Sequence, residues 1–159
     1  MQQGNVPGFI VPALIFLSAA AMSFATGSSW GTFAIMIPLA IPIAIGLDAP
    51  MLVCIGAVLS GGIFGDHCSP ISDSTIHAST GAASDHIDHD KTQIPYAVTT
   101  GTIVLFMFII AGITASPYTV LIGIAVMITT FITIARLTRR RVLASGDLVS
   151  VESAAEAVS

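Results

Sequence analysis

The chain has 159 residues, of which 54% are hydrophobic and only 9% are charged, and its formal net charge is −4. Soluble domains usually carry about a quarter charged residues, and a chain this short lacks the polar surface to cover several apolar helices in water. The composition therefore argues against an ordinary soluble domain and predicts a membrane protein. Nucleic-acid binding is unsupported, because no basic patch is interleaved with aromatic residues.

Two apolar stretches open the chain, with a polar break between them. The first runs from about Pro7 to Ala25 and the second from Phe33 to Leu47, and TGSSWGT occupies residues 26–32. Once the polar segment is removed, both stretches are short for a membrane span of about 20 residues. We therefore expect a re-entrant hairpin with its tip near mid-membrane over residues 7–47, in preference to two full spans.

A third apolar stretch, from about Met51 to Phe64, leads into GDHCSPISDSTIH at residues 65–77. This segment places two carboxylates, Asp66 and Asp73, on either side of a proline in a region with almost no other charge. Charge is costly in a bilayer and is retained there mainly for function. The segment is therefore the candidate ion site of the chain.

The same segment predicts a broken helix. Ser69 is a good N-cap residue and is followed by Pro70, which is favoured at the first helical position. We therefore expect one helix to end near Gly65 and a short one to run from about residue 70 to residue 83. Carbonyl groups at the end of the first helix would then lack partners within the helix.

The rest of the chain contains two more apolar stretches. Residues 85–91, DHIDHDK, are predicted to form a charged loop with solvated histidines, and the stretches follow at about 94–115 and 119–135. We assign residues 1–136 to a transmembrane transporter domain and residues 137–159 to a cytoplasmic, disordered tail. The tail is placed in the cytoplasm because arginines close the last stretch, at positions 136, 139, 140 and 141.

The broken helix brings together donors that suit a hard cation. Hydroxyl, carboxylate and carbonyl oxygens are the ligands that such cations, including sodium, prefer. At this break the candidates are Asp66, Ser69, Ser72, Asp73 and Thr75. Burial and a neighbouring carboxylate both favour the protonated form of an aspartate, whereas a bound cation favours the ionised form. The site should hold a proton or a metal cation but not both, which is the minimum requirement of an antiporter.

Each of these residues also has a simpler explanation. Asp73 could cap the second half-helix, and Asp66 could pair with a basic group elsewhere. His67 could provide a pH response, because histidine titrates near neutrality, or it could be a structural histidine. A metal site that included His86 and His89 matches no strong ligand spacing.

The two breaks resemble the signatures of the NhaC family of sodium/proton antiporters. One is FATGSSWGTFAIMIPLAIP, residues 24–42, and the other spans residues 56–97. The resemblance covers about residues 7–136 and departs from the family pattern at Ser74 and His77. The residues of both motifs carry over as candidate site residues. Donor chemistry, rather than the resemblance, makes the hydroxyls of the first break further candidate sodium ligands: Thr26, Ser28, Ser29 and Thr32.

The resemblance implies an all-α, multi-pass transporter in the cell membrane, built from inverted repeats with a hairpin and a broken helix in each. Family members are about three times longer, so the chain looks like the C-terminal half, whose partner is the missing N-terminal half or a second copy. Sodium is then a transported substrate at Asp66 and Asp73, in exchange for protons, and no cofactor is needed.

Three other functions compete with sodium/proton exchange. Close relatives of the NhaC family exchange organic solutes, so an ion-coupled organic-anion or amino-acid antiporter, such as a malate/lactate antiporter, is the main alternative. A membrane metalloenzyme would use Asp66, His67, His86 and His89. A fragment with only a structural or assembly role is the last.

Overall fold

The computed structural model describes residues 7–116 and 118–145. These residues form helices and contain no strand. The chain divides into two units, Met1–Gly123 and Ile124–Ser159. The helices are α1 (Val11–Thr26), α2 (Ser29–Gly46), α3 (Met51–Cys68), α4 (Asp73–Gly81), α5 (His86–Thr114) and α6 (Tyr118–Ser145).

Four of the helices are long and apolar enough to cross a membrane: α2, α3, α5 and residues 118–137 of α6. The 16-residue α1 is apolar but shorter. The prediction of an all-α, multi-pass membrane protein is thereby confirmed. Whether α1 and α2 enter the membrane as a re-entrant hairpin stays a prediction.

The break between α1 and α2 lies where the sequence predicts it. Gly27 ends α1 with φ of 66°, a left-handed conformation that glycine adopts without the steric penalty of a side chain. Ser28 then caps α2, because its hydroxyl oxygen accepts a hydrogen bond from the Gly31 backbone N–H. The two residues together reverse the chain.

Helices α1 and α3 lie parallel and in close contact. Gly61 faces the Phe16 carbonyl and Gly65 faces the Ala20 carbonyl, so neither position has room for a Cβ atom. The Ser23 hydroxyl donates to the Gly62 carbonyl oxygen at 2.6 Å. Small residues and interhelical hydrogen bonds of this kind are typical of packing inside membranes.

Helix α5 runs back along α1 and α3 in the opposite direction. Near its middle Gly101 faces the ring of Phe64, and near its end Gly112 faces the backbone of Phe9. The rings of Phe64 and Phe108 both pack against the ring of Phe16, with centroids 5.8 and 5.5 Å away. This apolar contact joins the three helices.

The start of α5 corrects the prediction of a charged loop at residues 85–91. These residues form the N-cap and first turns of α5, because the Asp85 carboxylate accepts from the backbone N–H groups of Ile87 and Asp88. Acidic groups at this end also interact favourably with the helix dipole. The charge pattern marked a helix start rather than a loop.

The break between α3 and α4 also differs from the prediction. Helix α3 continues to Cys68, and Ser69 closes it rather than capping the next helix. The Ser72 backbone N–H donates to the Ser69 carbonyl, so Pro70 occupies the second position of a β-turn, where its fixed φ is favoured. Ser72 is the N-cap of α4, which begins at Asp73.

The last helix extends beyond Arg136, the residue at which the sequence predicts the end of the transmembrane domain. Helix α6 continues to Ser145. The side chains of the three arginines at 139–141 and all of residues 146–159 lie outside the described residues. The cytoplasmic, disordered tail stays a prediction.

Candidate ion-binding site

The two helix breaks lie next to each other. A Cβ atom added to Gly27, at the tip between α1 and α2, would lie 2.9 Å from the Ile71 carbonyl oxygen in the turn between α3 and α4. This contact follows from the parallel packing of α1 and α3, which end at the same level. The C-terminal ends of α1 and α3 and the N-terminal ends of α2 and α4 therefore converge on one region.

Asp66 is the acidic group of this region. Asp66 is 8% exposed to solvent, and its two carboxylate oxygens accept hydrogen bonds from different serines. The Ser72 hydroxyl donates to Oδ1 at 2.7 Å, and the Ser74 hydroxyl donates to Oδ2 at 3.1 Å. Two hydroxyl donors compensate part of the cost of burying a carboxylate, and each oxygen keeps a further lone pair for another ligand.

The charge of Asp66 has no basic partner among the side chains that the structure describes. The ion pairs found there are His86 with Asp90 and Lys91 with Asp88, all within α5. The alternative in which Asp66 pairs with a basic residue elsewhere is therefore not seen in the described part of the chain.

Two further hydroxyls of this break are buried without a partner. Ser69 is 0% exposed and Thr75 is 2% exposed. Within the described residues, neither Ser69 Oγ nor Thr75 Oγ1 makes a hydrogen bond. A buried hydroxyl without a partner costs about 1–3 kcal/mol, so such groups usually bond to water, an ion or another group. Both residues were predicted from the sequence as candidate sodium ligands.

Asp73 does not join this group. It is exposed in the first turn of α4, and its side chain makes no hydrogen bond or ion pair with another described residue. A negative charge at this position interacts favourably with the N-terminus of α4. The structure brings Asp66 together with serines rather than with a second carboxylate.

The predicted ligands of the first break bond to their own helices. Thr26 donates to the Met22 carbonyl at 3.0 Å, and buried Thr32 donates to the Ser28 carbonyl at 2.9 Å. The Ser28 hydroxyl serves as the helix cap, and Ser29 is half-buried. The contact between the breaks is thus made at Gly27, against the backbone and side chain of Ile71.

His67, the candidate for a pH response, is an exposed residue near the end of α3. Its ring Nδ1 lies 3.0 Å from the Ile63 carbonyl of the same helix. Its own carbonyl accepts a hydrogen bond from the Gln93 side chain at 2.9 Å, which joins α5 to the end of α3. The described residues contain no cluster of three or more histidine, cysteine or acidic side chains that would hold a metal.

Sequence reasoning missed two residues here. From the sequence, Ser74 stands out only as a departure from the family pattern. Its hydroxyl, in the first turn of α4, nevertheless donates to Asp66. His86 was expected in solvent, yet its ring contacts the Pro70 carbonyl across 16 positions of sequence. Only the fold brings that pair together.

The fold and the site define a multi-pass helical membrane protein with a buried carboxylate at the meeting point of two helix breaks. Residues 1–113 match the Na+/H+ antiporter family. The chain belongs to this family, whose members are transporters rather than enzymes.

Three relatives show what the chain is similar to. An uncharacterized protein of Haemophilus influenzae is 48% identical over 71% of the chain and 22% of that protein. The malate-2H(+)/Na(+)-lactate antiporter of Bacillus subtilis is 36% identical over 65% of the chain and 23% of its own length. An uncharacterized Na(+)/H(+) antiporter of Haemophilus influenzae is 40% identical over 52% of the chain and 18% of its own length.

The aligned part of the chain spans about a fifth of the length of these relatives. No solved structure matches the chain.

Proposed function

We propose that this chain supplies a cation site of a sodium/proton antiporter of the NhaC kind, located in the cell membrane. The observation that carries the proposal is buried Asp66, which has two serine donors and no basic partner among the described side chains. The same break holds the hydroxyls of Ser69 and Thr75, which are also without a partner in the part of the chain that the structure describes. Sodium would be ligated by the carboxylate and by these hydroxyls. Asp73, at the start of α4, would add negative charge near the site.

Exchange follows from competition at Asp66. In the ionised form, the carboxylate accepts from Ser72 and Ser74 and offers its remaining lone pairs to a cation. When the carboxyl group binds a proton, it loses the negative charge that holds sodium. Each ion therefore displaces the other, and carrying them in turn to opposite sides of the membrane gives antiport.

The remainder of the transporter would complete the site. One repeat of an inverted-repeat transporter supplies half of a site near mid-membrane. We infer that this chain corresponds to the C-terminal half, with the N-terminal half or a second copy as partner. The hairpin of α1 and α2 would be re-entrant. The C-terminus would lie in the cytoplasm, which the arginines after residue 135 support.

The test uses a chimera in which this chain replaces the matching segment of the 48% identical Haemophilus influenzae protein. In proteoliposomes, a sodium gradient should drive proton movement. Asp66→Asn keeps the size of the side chain but removes the charge, and it should reduce exchange by about tenfold or more, which corresponds to 1.4 kcal/mol or more.

Asp73→Asn is the matched control, because it removes the same charge from an exposed position nearby, and it should lower exchange less. Equal exchange by Asp66→Asn and the unsubstituted chimera would show that the site is assigned to the wrong residue. A chimera that is folded and inserted but moves no protons would contradict the proposed function.

The second candidate is an ion-coupled antiporter of organic anions or amino acids on the same scaffold. The similarity to the malate-2H(+)/Na(+)-lactate antiporter supports it. Here the N-terminus of α4, capped by Ser72, would face the carboxylate of the substrate. Counterflow of labelled lactate or malate by the chimera would favour this function, whereas sodium-driven proton movement without counterflow would favour the first.

A further inference from the structure

The N-terminal part of α5 contacts the end of α3 and the turn that follows it through two side chains. The Gln93 side-chain amide donates to the His67 carbonyl oxygen at 2.9 Å. His86 Nε2 lies 2.7 Å from the Pro70 carbonyl oxygen. The partners are separated by 26 and 16 positions of sequence. The two contacts therefore attach α5 to the break that contains the candidate ion site.

These side chains supply donors that the backbone of the break does not. In the turn, the backbone N–H groups of Ser69 and Ser72 donate to the carbonyls of Asp66 and Ser69. Pro70 has no backbone N–H to contribute. Among the backbone hydrogen bonds of the described residues, none outside the helices ends on the carbonyl of His67 or Pro70. The side chains of α5 thus satisfy two carbonyl groups at the point where the helical hydrogen bonds stop.

The neutral form of the His86 ring is enough for both of its hydrogen bonds. A carbonyl oxygen only accepts, so Nε2 carries a proton, and Nδ1 then accepts from the Ser79 hydroxyl at 3.2 Å. The Ile76 carbonyl, which also lies near Ser79, keeps Thr80 Oγ1 as a donor at 2.8 Å. The ring is therefore fixed on one side by the Pro70 carbonyl and on the other by α4.

The two carbonyls that α5 contacts belong to the backbone that carries the candidate ligands. His67 follows Asp66 directly, and Pro70 lies in the turn between Ser69 and Ser72. The Ser72 hydroxyl donates to Asp66 Oδ1 at 2.7 Å, and the buried Ser69 hydroxyl has no partner among the described residues. Fixing the backbone at both carbonyls limits how far these hydroxyls move relative to the Asp66 carboxylate.

Restricted movement of the ligands has a specific consequence for binding. Alkali cations carry the same charge and differ in size. A site distinguishes them only if its oxygens neither close around a smaller ion nor open for a larger one, because cavity size, ligand number and flexibility set the selectivity of a metal site. The contacts from α5 reduce the flexibility of this break, and selectivity is the property that they affect most directly.

We propose that Gln93 and His86 are positioning residues that set the selectivity of the candidate ion site for sodium over potassium. This inference rests on the proposed function of that site. Neither side chain contacts the ion. Each holds one backbone carbonyl of the break, so that the oxygens around Asp66 keep the spacing that suits the smaller cation.

The first arm of the test measures the hold on the turn in the full chain, without ion binding or transport. Amide hydrogen exchange at Ser69 and Ser72 is followed in nanodiscs. Gln93→Met and His86→Met retain a side chain of comparable length but remove the donor to the carbonyl. In each variant the protection of these two amides should fall about two- to tenfold, the change expected for the loss of one hydrogen bond.

Two further variants serve as controls for the first arm. His86→Gln retains a neutral donor and should keep most of the protection. Thr92→Val is the matched control beside Gln93, because Thr92 Oγ1 donates to carbonyls of its own helix at 3.0 and 2.8 Å, and it should behave as the unsubstituted chain. Equal protection in Gln93→Met, His86→Met and the unsubstituted chain would overturn the proposal.

The second arm measures the selectivity of the chimera. Radioactive sodium bound at equilibrium is displaced by potassium, and the ratio of the two affinities is compared between variants. Gln93→Met and His86→Met should lower this ratio about two- to tenfold, whereas His86→Gln and Thr92→Val should retain it. A purely structural defect would reduce the amount of protein that binds sodium but would not change the ratio.

The selectivity measurement separates failure of this inference from failure of the proposed function. Sodium binding with the same selectivity in Gln93→Met, His86→Met and the unsubstituted chimera would refute the role of α5 while the proposed function stands. An unsubstituted chimera that is folded but binds no sodium would refute the proposed function, and selectivity set by α5 with it.

Discussion

The two helix breaks use the same residue types in different ways. At the break between α1 and α2, the hydroxyls of Thr26 and Thr32 bond the backbone of their own helices. At the break between α3 and α4, the hydroxyls of Ser72 and Ser74 donate to Asp66, and those of Ser69 and Thr75 have no partner among the described residues. The two threonine hydroxyls of the first break are thus paired with backbone, whereas two hydroxyls of the second break have unused hydrogen-bonding capacity within the described residues.

The difference separates a packing surface from a candidate binding site. The first break supplies a backbone surface, at Gly27, against which the second break packs. The second break supplies the negative charge of Asp66 and the hydroxyl oxygens of Ser69 and Thr75, which have no partner among the described residues. Both contain glycine, serine and threonine, so composition alone does not distinguish them. The buried carboxylate does, because it recruits hydroxyls that would otherwise bond the backbone.

The largest expected effect concerns the contact that sets the two breaks side by side. Gly65→Ala places a Cβ atom against the Ala20 carbonyl and 2.9 Å from the Phe24 backbone nitrogen. The free energy of unfolding should fall by about 1–3 kcal/mol, the usual cost of overpacking. It can be measured by denaturation with SDS, followed by the fluorescence of Trp30, which is the single tryptophan.

Gly56→Ala is the control for Gly65→Ala on the same helix. A Cβ atom at position 56 would meet no atom of the described residues within 4 Å, so this change should leave stability unchanged or raise it by up to about 1 kcal/mol. Equal stability of the two variants would contradict the close approach of α1 and α3.

The next effect compares a serine of the second break with a threonine of the first. Ser72→Ala removes the donor to Asp66 Oδ1 and the cap of α4, and it should cost about 1–3 kcal/mol. Thr26→Ala removes a bond from an exposed side chain to its own helix and should change stability by no more than about 0.5 kcal/mol. The same SDS titration measures both variants. A larger loss in the free energy of unfolding for Thr26→Ala than for Ser72→Ala would contradict the distinction between the two breaks.

The smallest effect on stability should be found at the unpartnered hydroxyls. Ser69→Ala and Thr75→Val remove buried polar atoms that have no partner among the described residues, so the free energy of unfolding without sodium should stay constant or rise slightly. Sodium affinity of the chimera should fall about tenfold, the equivalent of 1.4 kcal/mol for one lost ligand. Unchanged sodium affinity in both variants would show that these hydroxyls do not ligate sodium.

Much of the fold could be predicted from the sequence because the signals are local. Long apolar runs, the glycine and serine between α1 and α2, and the proline after Ser69 mark the helices and the breaks. The prediction of Ser69 as the N-cap of α4 is wrong, because the N-cap is Ser72. The two serines look alike in the sequence, since each precedes a residue that is favourable at the first position of a helix. The pattern does not show that Pro70 closes a turn.

The site itself depended on contacts that no local pattern contains. The sequence identifies Asp66 as unusual because the surrounding residues are apolar. It does not show that Ser74 faces Asp66 while Asp73 points elsewhere, since one helical position separates the two. Nor does it show that His86 reaches the Pro70 carbonyl, because that contact depends on how α4 and α5 pack.

The pH dependence of sodium binding tests the central claim most directly. Equilibrium binding of radioactive sodium to the chimera is measured from alkaline to acidic pH, with Asp66→Asn beside it. If one proton competes with sodium at Asp66, affinity should fall towards about tenfold per pH unit once the carboxyl group is mostly protonated, and Asp66→Asn should bind weakly without that slope. Sodium affinity that is independent of pH, or that is retained by Asp66→Asn, would contradict competition of the two ions for this carboxylate.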